Sequence, residues 1–113
     1  MENCLFCKIM KGEIPSAKVY ENDYVYAFRD INPQAPVHVL VIPKKHIASI
    51  NEVDSATDTE LAECLRAVRA IADAENLAGG YRVVSNCGPD ACQSVPHLHF
   101  HILGGTRMQD RMA

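Results

Sequence analysis

The sequence predicts an α+β fold in which about five mostly antiparallel strands carry one long helix, with a short helix near the N-terminus. Three observations predict it. One long segment has helical apolar spacing, several short segments are rich in β-branched and aromatic residues, and turn residues separate them. A chain of 113 residues has the size of one domain. We therefore predict a single domain over residues 1–113.

The first half of the chain predicts a short helix, a hairpin and a buried strand. Apolar Leu5, Ile9 and Met10 before Gly12 indicate one or two helical turns. The segments "KVYEND" and "YVYAFRD" follow, with the composition of a β-hairpin. The next segment, "VHVLVIP", is almost entirely apolar and predicts a central strand covered on both faces. We expect its one polar residue, His38, to be an ordinary hydrogen-bonded side chain.

The second half predicts the long helix and two more strands. Apolar residues follow the i, i+3, i+4, i+7 rule at Leu61, Cys64, Leu65, Val68, Ile71 and Ala72. Thr57 and Glu60 form a capping-box signature, and Gly79-Gly80 is predicted to end the helix. "YRVVSN" then predicts a strand, and "CGPDA" predicts a turn.

Three histidines alternate with apolar residues in "PHLHFHILGG". In an extended strand, His97, His99 and His101 would share one face, and the apolar residues would share the other. The pattern predicts a half-buried last strand, ending at Gly104-Gly105, whose imidazoles face a cleft. The outer two histidines would be about 13 Å apart on such a strand, which opposes binding of one ion by all three. We therefore expect the three rings to have separate roles.

Composition excludes several function classes. A net charge of −3 without a block of Lys or Arg argues against a nucleic-acid surface. The N-terminal residues include Glu2 and no long apolar run, so we expect no signal peptide, no membrane partner and a cytoplasmic location. Five cysteines are an odd number, which disfavours a disulfide framework and favours free thiols or metal ligands.

Cys4 and Cys7 have the C-x2-C spacing of half a zinc site. Because a second such pair is absent nearby, the remaining ligands would come from distant parts of the chain, and His46 and His97 are the candidates. A redox-active or merely buried thiol pair is the alternative.

His99 and His101 are then left for chemistry. A neutral imidazole is a good nucleophile when an acceptor holds its other N–H and so fixes the tautomer. The neighbouring His101 could bind a phosphoryl oxygen, and Ser94 and Asn86 could add donors, although both also suit ordinary turns.

These residues resemble a known family. "QSVPHLHFHILGG" resembles the histidine triad (HIT) signature, and "CLFCKIMKGEIPSAKVYENDYVYAFRDINPQAPVHVLVIPKKHI" is similar to the N-terminal half of its nucleotide-binding branch. The resemblance covers essentially the whole chain. Gly104-Gly105 is more similar to the phosphoramidase-type branch than to the dinucleoside-polyphosphate branch. The resemblance implies a HIT-like fold and a homodimer whose sheets join into one. Two departures are Cys92, where much of the family has glycine, and a C-terminus without the aromatic tail of some relatives.

The resemblance also implies a function, hydrolysis of a purine nucleoside phosphoramidate similar to adenosine 5'-monophosphoramidate. His99 would attack the α-phosphorus, a nucleotidyl-histidine would form, and water would release the nucleoside monophosphate. The implied nucleotide-binding residues are Asp30 for the ribose, and Ile31, Asn86, Cys92, Gln93, Ser94 and His101. The implied base slot consists of Leu5, Phe6, Ile9, Ile14, Phe28 and Ile31. The implied structural zinc ligands are Cys4, Cys7, His46 and His97.

Two other functions stay open. One is hydrolysis of dinucleoside polyphosphates, or nucleotidyl transfer, on the same scaffold. The other is a non-catalytic, zinc-stabilised nucleotide-binding module. The sequence has no P-loop and no cluster of carboxylates for magnesium, so transfer of a terminal phosphoryl group is not indicated.

Overall fold

A computed structural model describes residues 3–112, and it confirms the α+β prediction. Met1, Glu2 and Ala113, which belong to the predicted domain, lie outside the described residues. The helices are α1 (Leu5–Met10) and α2 (Asp58–Ala74), with 3-10 turns at Ile50–Ser55 and Pro89–Ala91. The strands are β1 (Lys18–Glu21), β2 (Val25–Arg29), β3 (Val37–Pro43), β4 (Tyr81–Val84) and β5 (Phe100–Gly104). No helix of residues 3–112 is long and apolar enough to cross a membrane.

The five strands form one antiparallel sheet in the order β1-β2-β3-β5-β4. β3 lies at its centre, and every β3 residue after Val37 is buried. Val39 and Val41 pack under α2, whereas Leu40 and Ile42 pack on the opposite face with α1. Because alternate residues of a strand serve opposite faces, this confirms the predicted cover on both sides of β3.

The long helix begins as predicted and ends earlier. Thr57 and Glu60 form both hydrogen bonds of a capping box. The prediction that Gly79-Gly80 ends the helix is wrong, because Asn76 takes a left-handed φ of 60° and closes a Schellman motif with α2. Leu65 belongs to the apolar pattern that predicted the helix, but its side chain is 61% exposed and does not join the core.

The histidine segment is only partly a strand. β5 begins at Phe100, so the prediction that the strand starts at His97 is wrong. The reason is that Leu98 donates its backbone N–H to the Ile47 carbonyl, at 2.6 Å, rather than to β3. The alternation nevertheless holds, because Phe100 and Ile102 pack in the core on the α2 side, whereas His99 and His101 lie on the α1 side. β4 likewise ends at Val84, before the predicted Asn86.

The turn predicted at "CGPDA" is a 3-10 turn closed by a second Schellman-type pair of bonds. The Cys92 N–H donates to the Pro89 carbonyl at 3.0 Å, and the Gln93 N–H donates to the Gly88 carbonyl at 3.1 Å. Cys92 stands at the left-handed position of this pair, with φ 59° and ψ 40°. A side chain with a Cβ is strained there, and glycine is not.

We predict that Cys92→Gly raises the free energy of unfolding by about 0.5–1 kcal/mol. Glycine removes the left-handed strain, and its greater freedom in the unfolded chain offsets part of that gain. Urea unfolding measures the difference. Cys92→Ser is the matched control, because it removes the thiol and keeps the Cβ. Equal stability of the two variants would contradict the explanation.

Candidate active site and metal centre

A cavity of about 300 Å³ lies on the α1 side of the sheet. One part of its wall is apolar and contains all six residues of the implied base slot, Leu5, Phe6, Ile9, Ile14, Phe28 and Ile31. Another part is polar and contains Asp30, Ser94, His99 and His101. The structure therefore brings together ten of the residues that the sequence singled out. A larger polar cavity of about 510 Å³, between the start of β4 and residues 106–110, contains none of them.

His99 is held in one tautomer by a backbone carbonyl. Its Nδ1–H donates to the His97 carbonyl at 2.6 Å, so the neutral ring leaves Nε2 without a proton. The ring is 5% exposed, lines the cavity and meets the Phe6 ring edge-on at a centroid distance of 5.0 Å. The side chain thus has the fixed geometry and the free lone pair that a nucleophile needs.

His38 sets the tautomer of His101. The Gln34 backbone N–H donates to His38 Nδ1 at 3.1 Å, so the proton of a neutral His38 ring lies on Nε2. That Nε2–H donates to His101 Nδ1 at 2.9 Å. His101 therefore carries its own proton on Nε2, where it can donate to an oxyanion in the cavity.

Sequence analysis assigned His38 no role beyond hydrogen bonding. It did not predict the relay of hydrogen bonds from the Gln34 N–H through His38 to His101. His38 and His101 are diagonal neighbours on one face, because Leu40 pairs with His101 and His38 pairs with Leu103. Only the pairing of β3 with β5 creates that contact, and the sequence contains no local signal for it. Ser16, Leu40 and Val95 also line the cavity and were missed, because tertiary contacts rather than a local sequence signal place them there.

Burial keeps the relay uncharged. It lowers the pKa of His101 from 6.5 to about 4, helped by repulsion from His99 and His38 and opposed by Asp30. Burial also lowers the pKa of His38, again against the attraction of Asp30. Both rings are therefore neutral near pH 7 and act as hydrogen-bonding groups rather than as cations.

The Asp30, His38 and His101 side chains lie close enough to suggest a metal site. The hydrogen bonds argue otherwise. Because the Gln34 N–H occupies His38 Nδ1, the Nε2 atom that would face the ion carries the ring proton. Asp30 Oδ2 lies 3.4 Å from that same Nε2 atom. The group is better described as a hydrogen-bonded relay.

The Gln93 side chain fixes the loop beside the cavity through hydrogen bonds to backbone atoms. Its Oε1 accepts the Gly88 N–H at 2.9 Å, and its Nε2 donates to the carbonyls of Ala48 and Val95 at 2.7 and 3.1 Å. The amide is fully engaged with backbone, so it positions the loop that carries Ser94. Among residues 3–112, the implied phosphate ligands that do not line the cavity are Asn86, Cys92 and Gln93.

The second cluster contains Cys4, Cys7, His46 and His97. Cys4 is the N-cap of α1, and Cys7 lies on the first turn above it, so both thiols share one face of the helix. His46 follows β3, and His97 precedes β5. The fold therefore brings the C-x2-C pair to the two histidines that the sequence named as candidates.

The geometry of this cluster fits a tetrahedral ion. His97 Nδ1 lies 3.2 Å from Cys4 Sγ, 3.6 Å from Cys7 Sγ and 3.2 Å from His46 Nδ1. Cys7 Sγ lies 3.5 Å from His46 Nδ1. Tetrahedral zinc with bonds of 2.0–2.3 Å spaces its ligand atoms about 3.3–3.8 Å apart.

The protonation of His97 also suits a metal ligand. Its Nε2–H donates to the Pro43 carbonyl at 2.9 Å, so the Nδ1 lone pair faces the thiols. Burial lowers the pKa of His97 to about 4, although the bond to Pro43 opposes this shift. Both cysteines are free of disulfides, and burial together with the neighbouring Cys4 raises the pKa of Cys7. The cluster can therefore hold a metal ion through four protein ligands.

Residues 11–108 match the family model of the HIT domain. The chain belongs to the HIT family. It is 46% identical to a HIT family hydrolase of known structure from Clostridium thermocellum, with a TM-score of 0.96 over 100% of this chain and 99% of that one. It is also 41% identical to the purine nucleoside phosphoramidase of Escherichia coli K12, over 99% of this chain and 95% of that protein. A 14 kDa zinc-binding protein of Zea mays is 48% identical over 92% of this chain and 83% of its own length.

The buried ring of His101 predicts a pH-dependent stability. An unfolded histidine has a pKa near 6.5, and the folded ring has one of about 4. Between these values the unfolded chain binds a proton that the folded chain does not, so stability rises with pH over this window and is complete above it. His99, His38 and Asp30 face the ring.

We expect His101→Gln to remove this contribution. The difference in free energy of unfolding between wild type and variant should be larger at pH 7.5 than at pH 5, as measured by urea unfolding. Groups that do not face His101 titrate alike in both proteins, so their effects cancel. Parallel pH profiles would contradict the assigned burial of the neutral ring.

Proposed function

We propose that this protein hydrolyses purine nucleoside phosphoramidates of the adenosine 5'-monophosphoramidate type through a covalent intermediate on His99. The observation that carries the proposal is the bond from His99 Nδ1 to the His97 carbonyl, which leaves an unprotonated Nε2 at the wall of the cavity. The name and 41% identity of the Escherichia coli phosphoramidase support the substrate class.

In the first step, His99 Nε2 forms a bond to the α-phosphorus and the phosphorus–nitrogen bond to the leaving amine breaks. The amine takes up a proton from solvent as it leaves. The ring becomes cationic, and the His97 carbonyl stabilises its Nδ1–H. The His101 Nε2–H donates to a non-bridging oxygen as negative charge develops there.

In the second step, water attacks the same phosphorus. The phosphorus–His99 bond breaks, the ring recovers its neutral Nδ1–H tautomer, and the nucleoside monophosphate is released with loss of one proton to solvent. His38 holds His101 in its donating tautomer throughout both steps.

The rest of the cavity suits a purine ribonucleotide. Phe6 and Phe28, with ring centroids 5.4 Å apart, supply the aromatic part of an apolar slot for the base. Asp30 is the ribose ligand, because a carboxylate can accept hydrogen bonds from two neighbouring hydroxyls. One of its oxygens already accepts the Asn32 N–H at 2.8 Å, and a carboxylate has further acceptor sites.

Zinc is the metal that we propose for Cys4, Cys7, His46 and His97. The donor set and spacing support it, as does the name of the Zea mays relative. An ion with four protein ligands is structural, because it has no open position for substrate. When bound, the ion would hold together α1, the segment after β3 and the segment before β5.

A homodimer is part of the proposal. β4 is an edge strand, and its Tyr81 and Val83 side chains are about 40% exposed. Leu65 of α2 adds a further exposed apolar side chain. Pairing of two copies would cover this apolar surface and the free edge. The cytoplasmic location stays a prediction from the sequence.

Rapid quench with adenosine phosphoramidate tests the mechanism. We expect a nucleotidyl group on His99, seen by intact mass and peptide mapping, and no adduct in His99→Ala. His101→Gln should form the same adduct about 10²–10³ times more slowly, as expected for the loss of one oxyanion donor. Label on His101, or turnover without label, would overturn the assignment.

Steady-state kinetics test the substrate class. We expect a higher kcat/KM for adenosine phosphoramidates than for diadenosine polyphosphates. The opposite order would favour the polyphosphate hydrolase, and AMP binding without turnover of either substrate would favour the non-catalytic module.

A further inference from the structure

The metal cluster and the nucleotide cavity share structural elements without sharing side chains. None of the cluster residues lines the cavity in the part of the chain that the structure describes. Two elements nevertheless contribute to both sites. One is the segment that carries His97 and His99, and the other is α1.

The first connection reaches the nucleophile. The ring of His97 is fixed at Nδ1 by the cluster and at Nε2 by the Pro43 carbonyl. Its own carbonyl accepts the His99 Nδ1–H at 2.6 Å. The residue that joins the cluster therefore also orients the ring that lines the nucleotide cavity, and only Leu98 separates the two residues in the sequence.

The second connection reaches the base slot. α1 has six residues, which is too few for a helix that is stable without tertiary contacts. Cys4 and Cys7 join it to the cluster, and on the same helix Leu5, Phe6 and Ile9 line the slot. The Phe6 ring lies edge-on to both His97 and His99, at centroid distances of 5.9 and 5.0 Å.

Solvent reaches the cluster from a different side. A cavity of about 450 Å³ is lined by Cys7, Met10, Lys11, Glu21, Lys44 and His46. It shares no lining residue with the nucleotide cavity. An ion can therefore enter or leave the cluster while a nucleotide is bound, so both ligands can equilibrate on one molecule.

We propose that metal binding at Cys4, Cys7, His46 and His97 and nucleotide binding in the cavity are energetically coupled, each raising the affinity for the other. The proposal rests on the proposed function for the nucleotide site. Metal orders α1 and the His97 segment, so a nucleotide then binds to a site that is already ordered. By linkage the nucleotide must raise the affinity for metal by the same factor.

Linked titrations of the full chain with Zn²⁺ and AMP test this. The Kd for zinc is measured by chelator competition without AMP and with saturating AMP, and the Kd for AMP is measured by calorimetry with and without zinc. We expect both constants to fall by the same factor, at least about fivefold. The titrations are made at a temperature where far-UV circular dichroism shows the zinc-free chain folded.

The outcomes separate the two proposals. If AMP binds and the Kd for zinc is the same with and without AMP, the coupling is wrong and the proposed function stands. If AMP does not bind in either state, the proposed function fails, and the coupling fails with it. A zinc-free chain that is unfolded at every temperature would also overturn a coupling confined to α1 and the His97 segment.

Two variants test whether the coupling depends on the metal cluster. Cys4→Ser should bind AMP with the affinity of zinc-free wild type, whether or not zinc is added. Cys64→Ala is the matched control, because Cys64 lies on α2 and is fully buried in the other core, and it should keep the dependence of AMP affinity on zinc. The wild-type titrations need no variant and decide the question even if Cys4→Ser does not fold.

Discussion

The hydrogen bond from His99 Nδ1–H to the His97 carbonyl is the interaction on which the site depends. It decides which ring nitrogen of His99 is free and where that nitrogen points. The bond in turn requires a fixed position of the His97 backbone. The buried thiols, the Pro43 carbonyl and the backbone bond from Leu98 to Ile47 supply it. The nucleophile is thus oriented by main chain that the second cluster holds in place.

The sheet makes both clusters possible because β3 is buried on both faces. One face packs under α2 and forms a hydrophobic core. The other face carries α1, the cavity and the four-donor cluster. Neutral groups dominate the polar wall, since burial lowers the pKa values of His101 and of its hydrogen-bond partner His38. A phosphate would be met by fixed hydrogen-bond donors, because the cation that also lines the cavity, Arg29, is held in a two-bond ion pair with Glu75. This arrangement suits a chain with a net charge of −3.

Periodicity predicted most of the fold, because β3 and the start of α2 depend on local patterns such as the run 37–43 and the Thr57 capping box. The residues of both clusters were named from their chemistry and from the family resemblance. What local sequence could not reveal depends on tertiary contacts. The relay from His38 needs the register of β3 with β5, and the late start of β5 needs Ile47. The early end of α2 depends on Asn76, whose left-handed conformation was not recognised as a stop signal.

The tautomer of His99 is the most direct test of this account. Nitrogen-15 NMR of the imidazole rings at neutral pH, with His99 assigned by comparison with His99→Ala, reports which nitrogen carries the proton. We predict a protonated Nδ1 and an unprotonated Nε2 in the chain without nucleotide. A ring with its proton on Nε2 would contradict the account, because no lone pair would then face the cavity.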